Sequence, residues 1–159
     1  MFKTIVWATD GSENAARALP YAKPLATGEG AMLVAAHIVP ATTNDNASDG
    51  SAADVYDEDV GAKLIKLVSE LSRDGLNAIH RVVNYVGPQP AQGIADIARE
   101  VGADVIVVGT RGHSALGGLV VGSVTQRLLH VAPCPVLAVP PNTPLAAALP
   151  DITAGCDVA

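Results

Sequence analysis

The chain is nearly devoid of aromatic residues, 3% of its 159 positions, although 49% of it is apolar. A core without large rings has to be assembled from Ala, Val, Leu and Ile, which suits helices packed closely on a sheet. Cysteine is scarce too. Cys134 and Cys156 make no CxxC pair and are too few for a metal set, so both are expected as unpaired thiols. Basic residues are in deficit, 10 Lys and Arg against 16 Asp and Glu, with no basic run; no nucleic-acid partner is expected from such a balance. No apolar run approaches the roughly 18 residues that a membrane span needs, and the first residues lack a charged segment followed by an apolar stretch. No membrane association is expected, and the chain reads as cytoplasmic. Its length suits one domain with a sizeable core.

What the chain does contain is a run of glycines at one decisive place. Val105 to Val108 are branched and apolar, as in a strand buried on both faces, and they lead directly into Gly109. Further glycines follow at Gly112, Gly117, Gly118 and Gly122, and then Ser123 opens the helical pattern Val124, Leu128, Leu129, Val131. Backbone N–H groups in a bare loop can converge on phosphate oxygens, and the helix that follows adds partial positive charge at its amino end. The hydroxyls of Ser123 and Thr125 can donate further bonds.

Taken in order, Thr4 to Thr9 form a first strand ending at Asp10-Gly11-Ser12, a turn and helix start. Ala15, Ala18, Leu19, Ala22 and Leu25 continue at helical spacing, and Pro20 is expected to kink that helix. Gly28 and Gly30 end it, and Met32 to Val39 make a second strand. Residues 41 to 53, ATTNDNASDGSAA, are small and polar without periodicity and read as a loop near the mouth of the site. A helix spans Val55 to Leu71 and stops at Gly75. The acids at its start, Asp54, Asp57, Glu58 and Asp59, suit a helix amino end and need no metal. Ala78 to Val86 form a third strand whose His80, Arg81 and Asn84 mark an exposed edge. Pro88 and Pro90 start a helix through Ile94, Ile97, Ala98 and Val101, closed by Gly102. Prolines bracket a fifth strand, Val136 to Val139. Residues 1–141 are therefore expected as one domain and 142–159 as a loosely attached tail.

Strands alternating with helices argue for an open, doubly wound parallel sheet. With strand order 3-2-1-4-5 the connections reverse between the first and fourth strands, and ligands bind in the crevice there. That crevice is bounded by the loops at Asp10 and Gly109.

The spacing Gly109-x2-Gly112-x9-Gly122-Ser123 resembles the signature of the ATP-binding branch of the universal stress protein family. KTIVWATDGSENAARAL and APCPVLAVP look like the same family's first and last strands, so the resemblance covers roughly Phe2 to Pro140. It implies the order 3-2-1-4-5, a fold like that of the adenine nucleotide α-hydrolases, and bound ATP or another adenine nucleotide. By the same resemblance Asp10 lies on the ribose hydroxyls, while the Ile38 backbone pairs with adenine and Val108 stands near the base. Gly109, Gly112 and Gly122 offer backbone to the phosphates, with Ser123, Val124 and Thr125 at the helix start. Capping of the first helix is the competing role for Asp10, and a structural turn that for the glycines. Arg111 and His113 can approach phosphate or face water. Magnesium (Mg2+) is expected to accompany a triphosphate, because the loop carries no lysine. A homodimer through Val136, Leu137, Ala138 and Val139 is also implied. One departure stands ahead of the helix at Pro90: the family's glycine, residue, proline order is replaced, with Pro88 at the glycine's position.

Functionally, the resemblance implies a nucleotide-dependent regulatory switch acting on a protein partner in stress response. Fast phosphoryl transfer is not expected, since there is no GxxxxGK[ST] loop and no positioned base, and at most slow hydrolysis remains. An adenylating ATP pyrophosphatase would need a serine- and glycine-rich loop where this chain has ATDGSENA. The alternative from another class is a nucleotide-free dimeric scaffold, which some relatives lacking the glycines exemplify.

Overall fold

Five runs of branched and small apolar residues become parallel strands in the computed structural model, which describes residues 2–40, 52–85, 89–111, 121–141 and 143. In chain order the elements are β1 (Thr4–Ala8), α1 (Glu13–Ala16), α2 (Leu19–Leu25), β2 (Met32–Pro40), α3 (Ala52–Arg73), β3 (Ala78–Tyr85), α4 (Pro90–Glu100), β4 (Val105–Gly109), α5 (Ser123–Val131) and β5 (Val136–Val139). The sheet order is β3-β2-β1-β4-β5, every pairing being parallel. Expected class and strand order are both observed.

Alternation along each strand divides the core into two layers. Ile5, Trp7, Leu33, Ala35, Val105 and Val107 face one side, packed under Ala18 and Ala22 and under Val60, Leu64 and Leu71 of α3. Val6, Ala8, Val34, Ala36, Ile38, Ile106 and Val108 face the other, against Ile94, Ala95 and Ala98 of α4 and Leu128 of α5. Small alanines let the helices approach closely, which answers the lack of aromatics. The one tryptophan, Trp7, is buried and its Nε1–H donates to the Ala15 carbonyl at 3.1 Å, so it lies beneath α1 as alternation predicts.

Two local expectations are corrected. Pro20 does not kink one helix but separates two, because it has no N–H for the Ala16 carbonyl and its ring crowds that oxygen; it falls in the first turn of α2, where neither matters. The helix expected from Val55 starts at Ala52, so Ala52 and Ala53 leave the expected loop, consistent with the high helix propensity of alanine. The rest of that loop, residues 41–51, lies outside the described residues, as does the expected tail apart from residue 143.

Candidate functional site

β1 lies between β2 and β4 in the sheet, with Ala8 level with Val108. The connection out of β1 runs through α2 on one face, and the connection out of β4 runs through α5 on the other. The carboxyl ends of these two neighbours therefore open a crevice. Extending their register by two residues sets Asp10 level with Thr110.

The β1 wall is a turn held by its own side chains. Gly11 N–H donates to Thr9 Oγ1 at 3.1 Å, Ser12 N–H donates to Asp10 Oδ1 at 3.0 Å, and Ala15 N–H donates to Ser12 Oγ at 3.2 Å. Ser12 is thus the cap of α1, and the competing role considered for Asp10 is filled by its neighbour. Gly11 has φ +79°, and a Cβ there would stand 2.6 Å from a Val60 methyl carbon, so only glycine fits. The half-buried Asp10 carboxylate is carried on this rigid turn.

On the other side of β1, the β2 backbone continues after β1 has turned away. Ala36 gives its carbonyl to Thr9 N–H at 2.9 Å, so two residues on the N–H and C=O of Ile38 face the same flank. The β1–β2 ladder stops at Ala8 and Ala36, and among the described residues no strand pairs with Ile38 on that flank. Its side chain, like that of Val108, is buried under α4 and α5, so what Ile38 can offer a planar base is backbone. Buried His37 sits 2.9 Å through Nδ1 from the Thr9 carbonyl; a carbonyl only accepts, so Nδ1 carries the hydrogen and ties β2 to the turn. The sequence marked His37 only as the neighbour of Ile38, although a histidine within MLVAAHIVP is itself a signal of a specific bond.

The β4 wall is more tightly built than a loop made bare for a ligand. A Cβ on Gly109 would lie 2.8 Å from the Asn14 carbonyl oxygen, and one on Gly122 would lie 3.2 Å from the Thr110 carbonyl oxygen. The chain's own backbone therefore requires glycine at 109 and favours it at 122. Gly122 N–H donates to Thr110 O at 2.7 Å, and Thr110 N–H donates to Val139 O at 2.9 Å. Thr125, expected as a free donor, is buried and gives its hydroxyl to Gly109 O at 2.9 Å, which pins the first turn of α5 to the end of β4. Ser123 is exposed and Val124 half-buried beside it.

α5 opens with no side-chain cap, since its N-cap is Gly122, and Gln126 is its first residue to donate to a carbonyl, that of Gly122 at 2.9 Å. The N–H groups of the first turn are left to point out of the helix end. A cleft of about 270 Å³ adjoins them, between the amino ends of α4 and α5, lined by Gln89, Pro90, Ala91, Ser123, Val124 and Arg127. Gly112 and His113 lie outside the described residues, as do Gly117, Gly118, Gly87 and Pro88. Among the described residues no group of His, Cys, Asp or Glu is arranged to hold a metal ion. The structure thus brings together Asp10, the Ile38 backbone, Gly109, Gly122, Ser123, Val124 and Thr125 around one crevice.

Cys134 is a free, half-buried thiol away from this crevice. Burial, aided by the nearby Asp104 carboxylate, pushes its pKa up and keeps it protonated.

The sequence model of the universal stress protein family matches residues 1–140. A universal stress protein of Thermus aquaticus, encoded in the QAH/OAS sulfhydrylase 3' region, is 36% identical over 144 residues, covering 87% of this chain and 99% of the relative. Among solved structures, hypothetical protein MJ0577 superposes with a TM-score of 0.73 at 26% identity, covering 88% of this chain and 96% of that one. A universal stress protein solved in complex with cAMP superposes with a TM-score of 0.61 at 27% identity, covering 87% of this chain and 97% of that one. With the connections out of β1 and β4 leaving to opposite faces of the sheet, and nearly the whole described chain matched, the chain belongs to the universal stress protein family.

Proposed function

We propose that this protein is an ATP-binding regulatory switch of the stress response that works in the cytoplasm. The observation that carries the reading is the crevice itself: a carboxylate, an unpaired backbone edge and an uncapped helix amino end face one opening. Each matches one part of an adenine nucleotide. The Asp10 carboxylate suits a vicinal diol, the N–H and C=O of Ile38 suit a base edge, and the amino end of α5 with Gly109, Gly112, Gly122, Ser123 and Val124 suits phosphates. That a relative of similar fold has been solved with cAMP supports an adenine ligand. Magnesium would arrive with the triphosphate, since Gly109 to Thr125 includes no lysine to neutralise it. Among the described residues of that stretch no side chain is a positioned base, and we propose slow hydrolysis at most. Nucleotide would act by ordering the walls of the crevice, and so the surface read by a protein partner.

The assembly we propose is a homodimer through β5. This strand ends the sheet, carries only Val136, Leu137, Ala138 and Val139, and leaves Leu137 40% exposed.

One observation favours the alternative of a nucleotide-free scaffold. The space beside Gly109 and Gly122 is taken by the chain's own backbone, so these two glycines have a structural reason to be there. Mass spectrometry of small molecules released from the purified protein, followed by calorimetry with ATP, ADP and cAMP, separates the two. ATP or ADP released and rebound is the expected result; no released nucleotide and no heat with any of the three leaves the scaffold.

A further inference from the structure

The β1–β2 ladder ends one bond early, and a side chain ends it. In a parallel pair, a residue facing its neighbour gives its N–H to one partner residue and its C=O to another two places further on. Ala8 is level with Ala36, and Thr9 N–H donates to Ala36 O at 2.9 Å. The next bond of this pattern would run from Ile38 N–H to Thr9 O. It is not made. The Thr9 carbonyl takes its hydrogen from His37 Nδ1 at 2.9 Å instead, and the ladder stops at Ala8 and Ala36.

The imidazole is held where this exchange of donors requires it, since His37 is only 3% exposed. Side chains of a strand stand roughly perpendicular to the sheet, so a carbonyl bonded to one is turned out of the plane, away from the Ile38 N–H. The turn beyond β1 fixes the same residue from its other end, because Thr9 Oγ1 accepts from Gly11 N–H at 3.1 Å. With its carbonyl satisfied by the imidazole, β1 leaves the sheet at Asp10 without an orphaned acceptor. The consequence falls on Ile38, whose N–H faces the flank that β1 has left while the carbonyl it would pair with is already taken. An aliphatic side chain at 37 would strip Thr9 O of its donor, and an unpaired carbonyl away from water is costly. Ile38 N–H is the group in register to replace it, which would lengthen the ladder by one bond.

We propose that His37 is a positioning residue: by capping the Thr9 carbonyl it keeps the Ile38 N–H and C=O open as a donor and acceptor pair for a purine base edge. The assignment rests on the nucleotide reading above and adds to it a residue that acts through the backbone of its neighbour. It also selects the base. Adenine presents a ring nitrogen acceptor beside an amino donor, which complements an N–H and a C=O. Hypoxanthine presents a ring N–H beside a carbonyl, the reverse order, and a site built for the first arrangement rejects the second.

Amide hydrogen exchange, with calorimetry against ATP and ITP, on wild type, His37→Leu and His37→Asn tests this. Asparagine keeps a side-chain N–H as many bonds from Cα as Nδ1, and leucine removes it. In the ligand-free wild type the Ile38 N–H should exchange about tenfold or more faster than the Ala36 N–H inside the ladder, and ATP should slow it. In His37→Leu it should exchange about tenfold more slowly than in wild type, and in His37→Asn as in wild type. Wild type should bind ATP about tenfold or more tightly than ITP; His37→Leu should lose that preference and His37→Asn regain it. An Ile38 N–H as protected as that of Ala36 in the ligand-free wild type overturns the assignment without any variant, and leaves the nucleotide reading standing if ATP binds. A preference for ATP over ITP that persists unchanged in His37→Leu overturns it too, since the end of the ladder would then not govern the base. Wild-type protein that binds neither nucleotide overturns the nucleotide reading and the assignment with it.

Discussion

Asp10 holds its place in the crevice through Ser12 N–H, so removing the whole side chain would disturb the turn as well as any ligand. Asp10→Asn is therefore the informative change: its amide oxygen can still accept from Ser12, while the charge is gone. ATP affinity should fall by on the order of 1.5–3 kcal/mol, about tenfold or more, because the ribose hydroxyls lose a charge-assisted acceptor. The melting temperature of the ligand-free protein should stay within a degree or two, since the turn survives. Trp7 provides the readout, being the only tryptophan and lying three residues, about 10 Å, before Asp10 on β1. It is buried under α1 with its N–H on Ala15, so ordering of the turn should change its emission modestly and without direct contact. Equal ATP affinity of Asp10→Asn and wild type, by both emission and calorimetry, would leave Asp10 as a turn former alone. Residues such as Asp10 were legible in the sequence because a polar side chain at the end of an apolar strand is conspicuous. The close approach that Gly109 permits was not, because only three dimensions show the Asn14 carbonyl beside it.

The elements were the most legible part of the chain, since continuous runs such as VIVV and MLVAAHIVP admit few alternatives to a doubly covered strand. Less legible were the ties that hold one element to another. Asp104, just ahead of β4, accepts at Oδ2 from Lys3 N–H at 2.7 Å and Thr4 N–H at 2.9 Å, joining the amino ends of β1 and β4 opposite the crevice. Its partners lie 100 and 101 positions away, beyond any pattern a local reading could find. The bonds from Thr4 and then Lys3 hold its carboxyl below the ordinary carboxylate range. With the folded pKa below the unfolded value of about 3.9, its contribution to stability is fully present above that value and is lost as pH falls through the folded one. Asp104→Ala should thus melt lower than wild type at pH 7, and the gap should narrow as the pH is brought from 5 to 3. A gap that stays constant over that range would mean that the carboxylate's charge does not matter to the tie.

At the scale of the whole molecule, the two edges of the sheet are not alike, and that difference argues for how copies assemble. β3 exposes Ile79 and Val82 but interleaves them with His80 and Arg81, and Arg81 bonds to Glu100 of α4 at 2.5 Å. Charge on an edge strand discourages another chain from adding to it. β5 has no charged residue, and the large apolar side chains left exposed nearby are Leu137 on the strand and Leu129 on α5. Two copies joined antiparallel along β5 about a two-fold axis would cover both edges with one isologous contact. Leu137→Asp should therefore convert a dimer to a monomer in sedimentation velocity. The fold should survive, because Leu137 is already partly in water and its removal opens no cavity in the core. Circular dichroism and an unchanged ATP titration would verify that, since the crevice lies between β1 and β4 and, among the described residues, β5 meets it at Val139, beside Gly109 and Thr110. A Leu137→Asp protein that stays folded and still sediments as a dimer would place the interface elsewhere on the molecule.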